Sequence, residues 1–516
     1  MSRLSWRWPD LNPDMTLDEL ISPIHGRLGV LERTGGQRVT ITDLTDDSRK
    51  VGPGSLFVAV PGERVDGHQY LDSVVAAGAA AVVVQRSVEA GATPCVRVED
   101  SRAALGILGS RFYGDPSSSL RMVGVTGTNG KTTTTYVVKT ILEAAQRQVG
   151  LIGTVAYLVG KESIPASHTT PGALELQKLF ARIREARLDT VVMEVSSHAL
   201  ALDRTAGSEF DVAVFTNLTQ DHLDFHLDME RYFQAKLKLF VELGKAGAVK
   251  QRKRAIINVD DPWGGRIRAA CTVPVWTYGL HREADIYAEG VRLSPAGTSF
   301  TLRSPAGSCL IKSRLIGEHN VSNLLAAIGV VLHEGLTLDQ VRSAVETVTN
   351  VPGRFELVDA GQDFSVVVDY AHTEDALVRL LTAAQALRTG RIITVFGCGG
   401  DRDRTKRPKM GRAAVQYSDV VILTSDNPRT EDPAVILREV EVGVKEALVD
   451  RGHVRYRMVA DRREAIEVAI REAKSGDMVL IAGKGHEDYQ IVGTTKHHFD
   501  DREVARDTIG ALRSGA

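Results

Sequence analysis

The chain has 516 residues, 43% hydrophobic and 25% charged, with 63 Lys/Arg against 65 Asp/Glu and a formal net charge of −2. That length exceeds one ordinary core and leads to an expectation of about three domains. The balanced charge, with no Lys/Arg block, leaves no footprint for a nucleic-acid partner. The longest small-apolar run, Val74–Val84, has 11 residues and is too short to span a bilayer. No apolar signal core stands at the N-terminus. Cys95, Cys271, Cys309 and Cys398 form no C-x-x-C pair, so neither disulfides nor a cysteine zinc site is expected, and a cytoplasmic setting fits.

Residues 1–120 mix short β-like runs (55–60, 80–84, 95–98) with helical stretches, and the Gly/Pro/Ser-rich segment 113–120 reads as a linker. From Arg121 the pattern becomes strand, polar loop, helix, with apolar runs at 122–125, 190–195, 211–215 and 255–259. A turn signal lies in 349–356, and the alternation restarts at 364–370, 392–396, 420–424 and 478–482. Unbroken apolar strands alternating with helices predict an α/β protein with parallel sheets covered on both faces. The expected domains are 1–120, 121–350 and 351–516. Ligands of such sheets bind beyond the carboxyl ends of the strands. Every polar cluster here follows an apolar run, so two rims facing one another across a cleft are expected. There is no internal repeat or heptad array.

Gly127-Thr128-Asn129-Gly130-Lys131-Thr132-Thr133 follows one such run and precedes a helix-like stretch. Glycines there let backbone N–H groups turn toward an anion at a helix N-terminus. Lys131 can neutralise phosphate charge, and the Thr132 hydroxyl can reach Mg²⁺. The usual spacing would also place glycine at 125, where this chain has Val125. Glu194 ends an apolar strand, where an unpaired carboxylate is costly, and Mg²⁺ is a natural partner. By itself His222 reads as a hydrogen-bonded rim residue, and Lys236 as part of a solvated helix face. The glycines of Phe396–Asp403 lack the G-x-G-x-x-G spacing of a dinucleotide loop.

Six segments, 123–134, 169–172, 193–200, 216–226, 317–327 and 368–373, occur in an order that resembles the Mur ligases, which build the peptide stem of bacterial cell-wall precursors. The resemblance extends from about Asp47 to Glu487. It implies a UDP-sugar domain, a central P-loop-type ATPase and a Rossmann-like amino-acid domain. The implied chemistry is ATP-driven phosphorylation of a carboxylate, followed by displacement of phosphate by an amine. It also implies that Lys131, Glu194, His222 and Lys236 are catalytic. Lys236 would be carbamylated by CO₂, and Thr132, Glu194, His222 and the Lys236 carbamate would surround Mg²⁺. Asn258, Asp261, His319, Asn320, Arg354 and Asp369 match positions at ATP.

Asp426-Asn427-Pro428-Arg429 resembles the MurE-type branch, which adds meso-diaminopimelate. Arg429 can hold the distal carboxylate with two parallel hydrogen bonds, Glu487 can take the ammonium with Gly483 beside it, and Arg402 matches a further contact. Ser48, Glu63, Arg64 and Val65 match uridine contacts. His168, Thr169, Thr170, Ser196 and Arg204 match the diphosphate and peptide positions of UDP-MurNAc-L-Ala-D-Glu. Leu202 and Glu374 depart from relatives carrying Gln and Pro there. The partners implied are these small molecules alone, and a monomer is expected. Competing readings are a lysine-adding or folylpolyglutamate-type ligase and, from another class, a P-loop switch protein.

Overall fold

The computed structural model describes residues 14–514, except 36–37, 63–64, 89–90, 246–249, 282, 295–296 and 350. Three larger sheets organise these residues. The first has the order Val30–Thr34, Cys95–Val98, Ala81–Val84, Ser55–Val58, Asp43–Thr45, antiparallel only at its Val30–Thr34 edge.

The second has 11 strands. Its middle is parallel, in the order Val149–Ile152, Thr190–Glu194, Arg121–Thr126, Val212–Phe215, Arg254–Asn258, Val275–Gly279, Ile286–Ser294. Both margins depart from the all-parallel expectation. The hairpin Ala156–Val159/Glu162–Pro165 adds antiparallel strands at one side, and Gly297–Ser304 and Gly307–Ser313 add them at the other. The physical reason is visible in the side chains. Thr298, Phe300 and Leu302 are buried while Arg303 is exposed, the period-two alternation of a sheet covered on one face only.

Helices cover both faces of the parallel middle. On one face Val123 and Val125 pack with Val137, Val138, Ile141 and Leu142 of the helix Lys131–Ala144. Met122 and Met193 turn to the other face and pack with Leu176, Phe180, Phe233 and Phe240. The third sheet runs Glu356–Leu357, Ser365–Asp369, Met478–Ala482, Ile392–Phe396, Val420–Leu423, Arg455–Met458, antiparallel only at its first pair. Among the described residues no helix is long and apolar enough to cross a membrane.

A buried ion pair holds this third sheet to its last helix. Arg462 and Asp501 have fully buried side chains joined by two hydrogen bonds of 2.7 Å. The same guanidinium donates to Ala482 O at 3.0 Å and Ser425 O at 3.4 Å, at the ends of two strands. Removing one partner strands a charge in low dielectric. Arg462→Met is therefore expected to cost about 3–5 kcal/mol, measured by denaturant unfolding against the unsubstituted protein.

Candidate active site

Strand Arg121–Thr126 enters the loop 127–130 directly before the helix Lys131–Ala144. Gly127 has φ 150° and Gly130 φ 85°. A Cβ at Gly127 would stand 1.9 Å from Thr216 Oγ1, and one at Gly130 2.3 Å from Asn323 Oδ1. Both positions therefore require glycine. Position 125 does not: Val125 is still strand, paired with Glu194 and Val214, and the turn begins two residues later. The loop is held from below, since Asn129 N donates to Asn217 Oδ1 (2.9 Å) and Thr128 N to Asn217 O (2.8 Å). Lys131 Nζ folds back onto Gly127 O (3.0 Å) and Thr128 O (2.9 Å). Burial lowers its pKa against the pull of Glu194 and Asp221.

A cavity beside the loop brings together Asn129, Gly130, Thr132, Thr133, His319, Asn320, Arg354 and Asp369. Burial lowers the His319 pKa to about 4, so the ring is neutral near pH 7. Asn258 and Asp261 do not line this cavity. Asn258 Nδ2 donates to Thr216 O (2.7 Å), and Asp261 accepts from Leu218 N and Trp263 N.

Glu194 is 1% exposed, and its carboxylate already has partners within the chain. It accepts from the Thr132 hydroxyl (3.0 and 3.1 Å), from Thr154 N (2.9 Å) and from the Thr154 hydroxyl (3.1 Å). Arg354 in turn donates to Thr132 Oγ1 at 3.0 Å. This pairing of a carboxylate with a hydroxyl suits a hard divalent cation, whose remaining ligands are commonly water and substrate phosphate. Among the described residues no three His, Cys, Asp or Glu side chains group as a metal site.

Lys236 lies on the helix Met229–Leu243 but is not on a solvated face. It is buried, donates to Gly127 O at 2.9 Å and stands 4.5 Å from the Tyr232 ring centre. Burial and the Lys131 charge lower its pKa well below the ordinary lysine range. His222 caps the short helix Leu223–His226 at φ 54°, with its side chain 41% exposed and Nε2 3.3 Å from Asp221 Oδ2.

A second, polar cleft of about 700 Å³ lies between the central and third sheets. Thr154, His168, Thr169, Asp221 and His222 line one side; Tyr370, His372, Arg402, Lys406, Asp426, Asn427, Arg429, Gly483 and Glu487 line the other. These are the two facing rims. Arg429 adopts φ 51° and its Nη1 donates to Gly400 O at 2.8 Å. Pro428 lies in the same loop, its carbonyl so close to Gly400 that a Cβ there would stand 1.9 Å from it. Arg402 Nη1 donates to Asp401 O at 3.0 Å. Thr170, Ser196 and Arg204 form a layer behind Glu194: Thr170 donates to Glu194 O (2.8 Å) and accepts from Ser196 N (3.0 Å), and Arg204 donates to Thr170 O (3.1 Å). Ser48 and Val65 lie with the first sheet and do not line the cleft. Glu63 and Arg64 fall outside the described residues.

Residues 125–331 match the Mur ligase middle domain, 353–485 the Mur ligase glutamate ligase domain, and 40–113 the catalytic domain of the Mur ligase family. A UDP-N-acetylmuramoyl-L-alanyl-D-glutamate–2,6-diaminopimelate ligase of Gloeobacter violaceus is 49% identical over 506 residues, 97% of this chain and 99% of its own length. The chain belongs to the Mur ligase family. A relative of the same description from Geobacillus thermodenitrificans is 47% identical over 478 residues, covering 93% of this chain and 96% of its own. A solved structure so described shares 34% identity at a TM-score of 0.69, covering 97% of this chain and all of that one. A folylpolyglutamate synthase of Mycobacterium tuberculosis shares the fold at 19% identity and a TM-score of 0.61, over 80% of this chain and 94% of its own.

Within this family frame the two departures have local explanations or none. Glu374 is the first residue of the helix Glu374–Leu387, capped by Thr373 Oγ1 accepting from Ala376 N. Proline and glutamate both suit that position, the one through its fixed φ and the other through the helix dipole. Nothing in the structure explains Leu202. Sequence reasoning singles out neither Thr154, Asp221, Lys406 nor Lys484. Lys484 lies within a recognisable motif, but only its burial in the fold marks it.

The loop geometry has a measurable consequence. Gly127→Ala is expected to cost about 1–3 kcal/mol in backbone strain and to weaken nucleoside triphosphate binding at least about tenfold. Thermal melting and calorimetric titration with a non-hydrolysable analogue read the two effects.

Proposed function

We propose that this chain is an ATP-dependent ligase that joins meso-diaminopimelate to UDP-N-acetylmuramoyl-L-alanyl-D-glutamate, forming the tripeptide precursor, ADP and phosphate. The observation that carries the reading is the shared cleft: the Arg429/Glu487 rim faces the rim beside the phosphate loop.

The dipeptide's terminal carboxylate is a poor electrophile until it is phosphorylated. Its oxygen attacks the γ-phosphorus of ATP, the bond to the bridging oxygen breaks, and ADP leaves. The neutral amine of diaminopimelate then attacks the acyl carbon. Phosphate departs with the C–O electron pair, and the nitrogen loses a proton. No enzyme nucleophile is needed, so positioning and charge neutralisation carry the rate.

Gly127–Gly130 and Lys131 would hold the phosphates, and the cavity with His319, Asn320, Arg354 and Asp369 would take the nucleotide, with Asn258 and Asp261 behind it. Thr132, Glu194, His222 and carbamylated Lys236 would hold Mg²⁺, which supplies charge neutralisation at the phosphates. A lysine amine this deeply buried beside Lys131 favours its neutral form. That form attacks CO₂, gives up a proton and becomes a carbamate anion. His168, Thr169, Thr170, Ser196 and Arg204 would hold the acceptor's diphosphate and peptide, with Ser48 and the 63–65 segment at its uridine. Arg429 would meet the distal carboxylate of diaminopimelate and Glu487 its ammonium, with Arg402 at a further contact with the amino acid.

Phosphate release should require ATP, the UDP-dipeptide and diaminopimelate together, and mass spectrometry should find the tripeptide. Hydrolysis indifferent to both acceptor and amino acid would falsify the ligase reading. Lysine lacks the distal carboxylate, so its kcat/KM should lie at least about 10³-fold lower. Lys236→Ala should lose about 10²–10³-fold in kcat and regain part of it with short-chain carboxylic acids. Unchanged turnover by that variant excludes the carbamate.

A further inference from the structure

Beneath the amino-acid rim lies a cation to which the proposed reaction gives no role. Lys484 has no exposed surface. Its ammonium donates to Asn427 Oδ1 at 2.9 Å and to Tyr489 O at 2.7 Å. It stands 3.2 Å from Asp426 Oδ1 and 3.9 Å from Glu487 Oε2. Asn427 Oδ1 also accepts from Ile491 N at 2.9 Å. With its oxygen taken twice, the Asn427 amide can only turn its NH₂ outward, where Nδ2 donates to Glu487 Oε2 at 2.9 Å. One oxygen of Glu487 is thus fixed. The other, 3.5 Å from the Tyr370 hydroxyl, remains on the cleft.

We propose that Lys484 is a positioning residue for the amino-acid substrate. It orients Asn427 and keeps Glu487 a carboxylate, so that an incoming ammonium meets a fixed anion. The proposal rests on the reading that this rim binds diaminopimelate.

Charge arithmetic explains why a cation is needed there. Burial and neighbouring Asp426 raise the Glu487 pKa, while Lys484, the Asn427 N–H and Arg429 oppose them. Burial also acts to raise Asp426, but Lys484, Arg462 and His372 hold it low. Of the other groups facing the pair, Arg462 is matched by Asp501, and burial lowers the His372 pKa to about 4. Burial raises Tyr370, and it raises Tyr489 to about 12. Without Lys484 Asp426 would lose its ion-pair partner, and Glu487 would hold its proton to higher pH. Ammonium binding would then be lost at lower pH and recovered as pH rises, about tenfold per unit below the new pKa.

The test is steady-state kinetics of full-length Lys484→Met, Lys484→Gln and Lys484→Arg between about pH 6 and about pH 9. Glutamine keeps a hydrogen-bond donor but no charge, and arginine keeps the charge. In the two neutral variants KM for diaminopimelate should rise about 10–100-fold near pH 7 and fall as pH rises. Their kcat and the KM for ATP and UDP-dipeptide should stay within about threefold. Wild type and Lys484→Arg should show a flat KM for diaminopimelate over that range. An unchanged KM, a pH-independent rise, or a common shift in all constants overturns the proposal. If Lys484→Met does not fold, Lys484→Gln decides; if neither folds, Lys484 is a structural cation and the proposal falls. A wild-type protein that ignores diaminopimelate overturns the reading of the rim itself, whereas failure in the variants alone leaves that reading standing.

Discussion

The Glu194 carboxylate is the point on which the site converges. A buried carboxylate must be met by donors, and here the donors come from separate parts of the chain: the first turn of the phosphate-loop helix through Thr132, and the second residue after strand 149–152 through Thr154. Arg354, from beyond the central sheet, donates to the same Thr132 hydroxyl. Satisfying one charge therefore fixes the loop, two strand ends and the approach of the third sheet together. A hub of this kind is costly to leave incomplete, which ties the folding of the central sheet to the geometry of its rim.

The same logic recurs in the third sheet with opposite sign. Arg462 and Lys484 are cations with fully buried side chains, each surrounded by carboxylates and carbonyls. Arg462 holds the ends of strands 420–423 and 478–482 from below, and Lys484 sets the polarity of what the loops beyond them present. The placement of Arg429 and Glu487 on the cleft depends on this support, because neither side chain belongs to a regular element that would hold it in place.

Motifs with strict backbone demands are legible in the order of residues alone. Gly127 and Gly130 announce an anion loop because no other residue fits their conformations, and the ordered motifs that follow carry the family resemblance. The apolar runs disclose the parallel strands for the same reason: a strand buried on both faces has little freedom of composition. The antiparallel margins escape such a reading because the strands at 297–304 and 307–313 alternate buried and exposed side chains, a weaker signal. Lys236 shows the other kind of failure. A lysine on a helix ordinarily faces water, and helical spacing alone does not say that this face packs under the phosphate loop.

Local sequence thus dictated whatever depends on one residue's own conformation: the glycine turn, the capped helices, the two-sided strands and the order of the motifs. Tertiary packing decided whatever depends on desolvation and partners. It buried Lys236 and Lys484, gave Glu194 its donors, turned Asn258 and Asp261 inward and set Arg429 across from His222. Burial and charge pairing are properties of three-dimensional neighbourhoods, with partners such as Arg354 and Thr132 lying 222 positions apart in the chain. No spacing rule along one chain contains them.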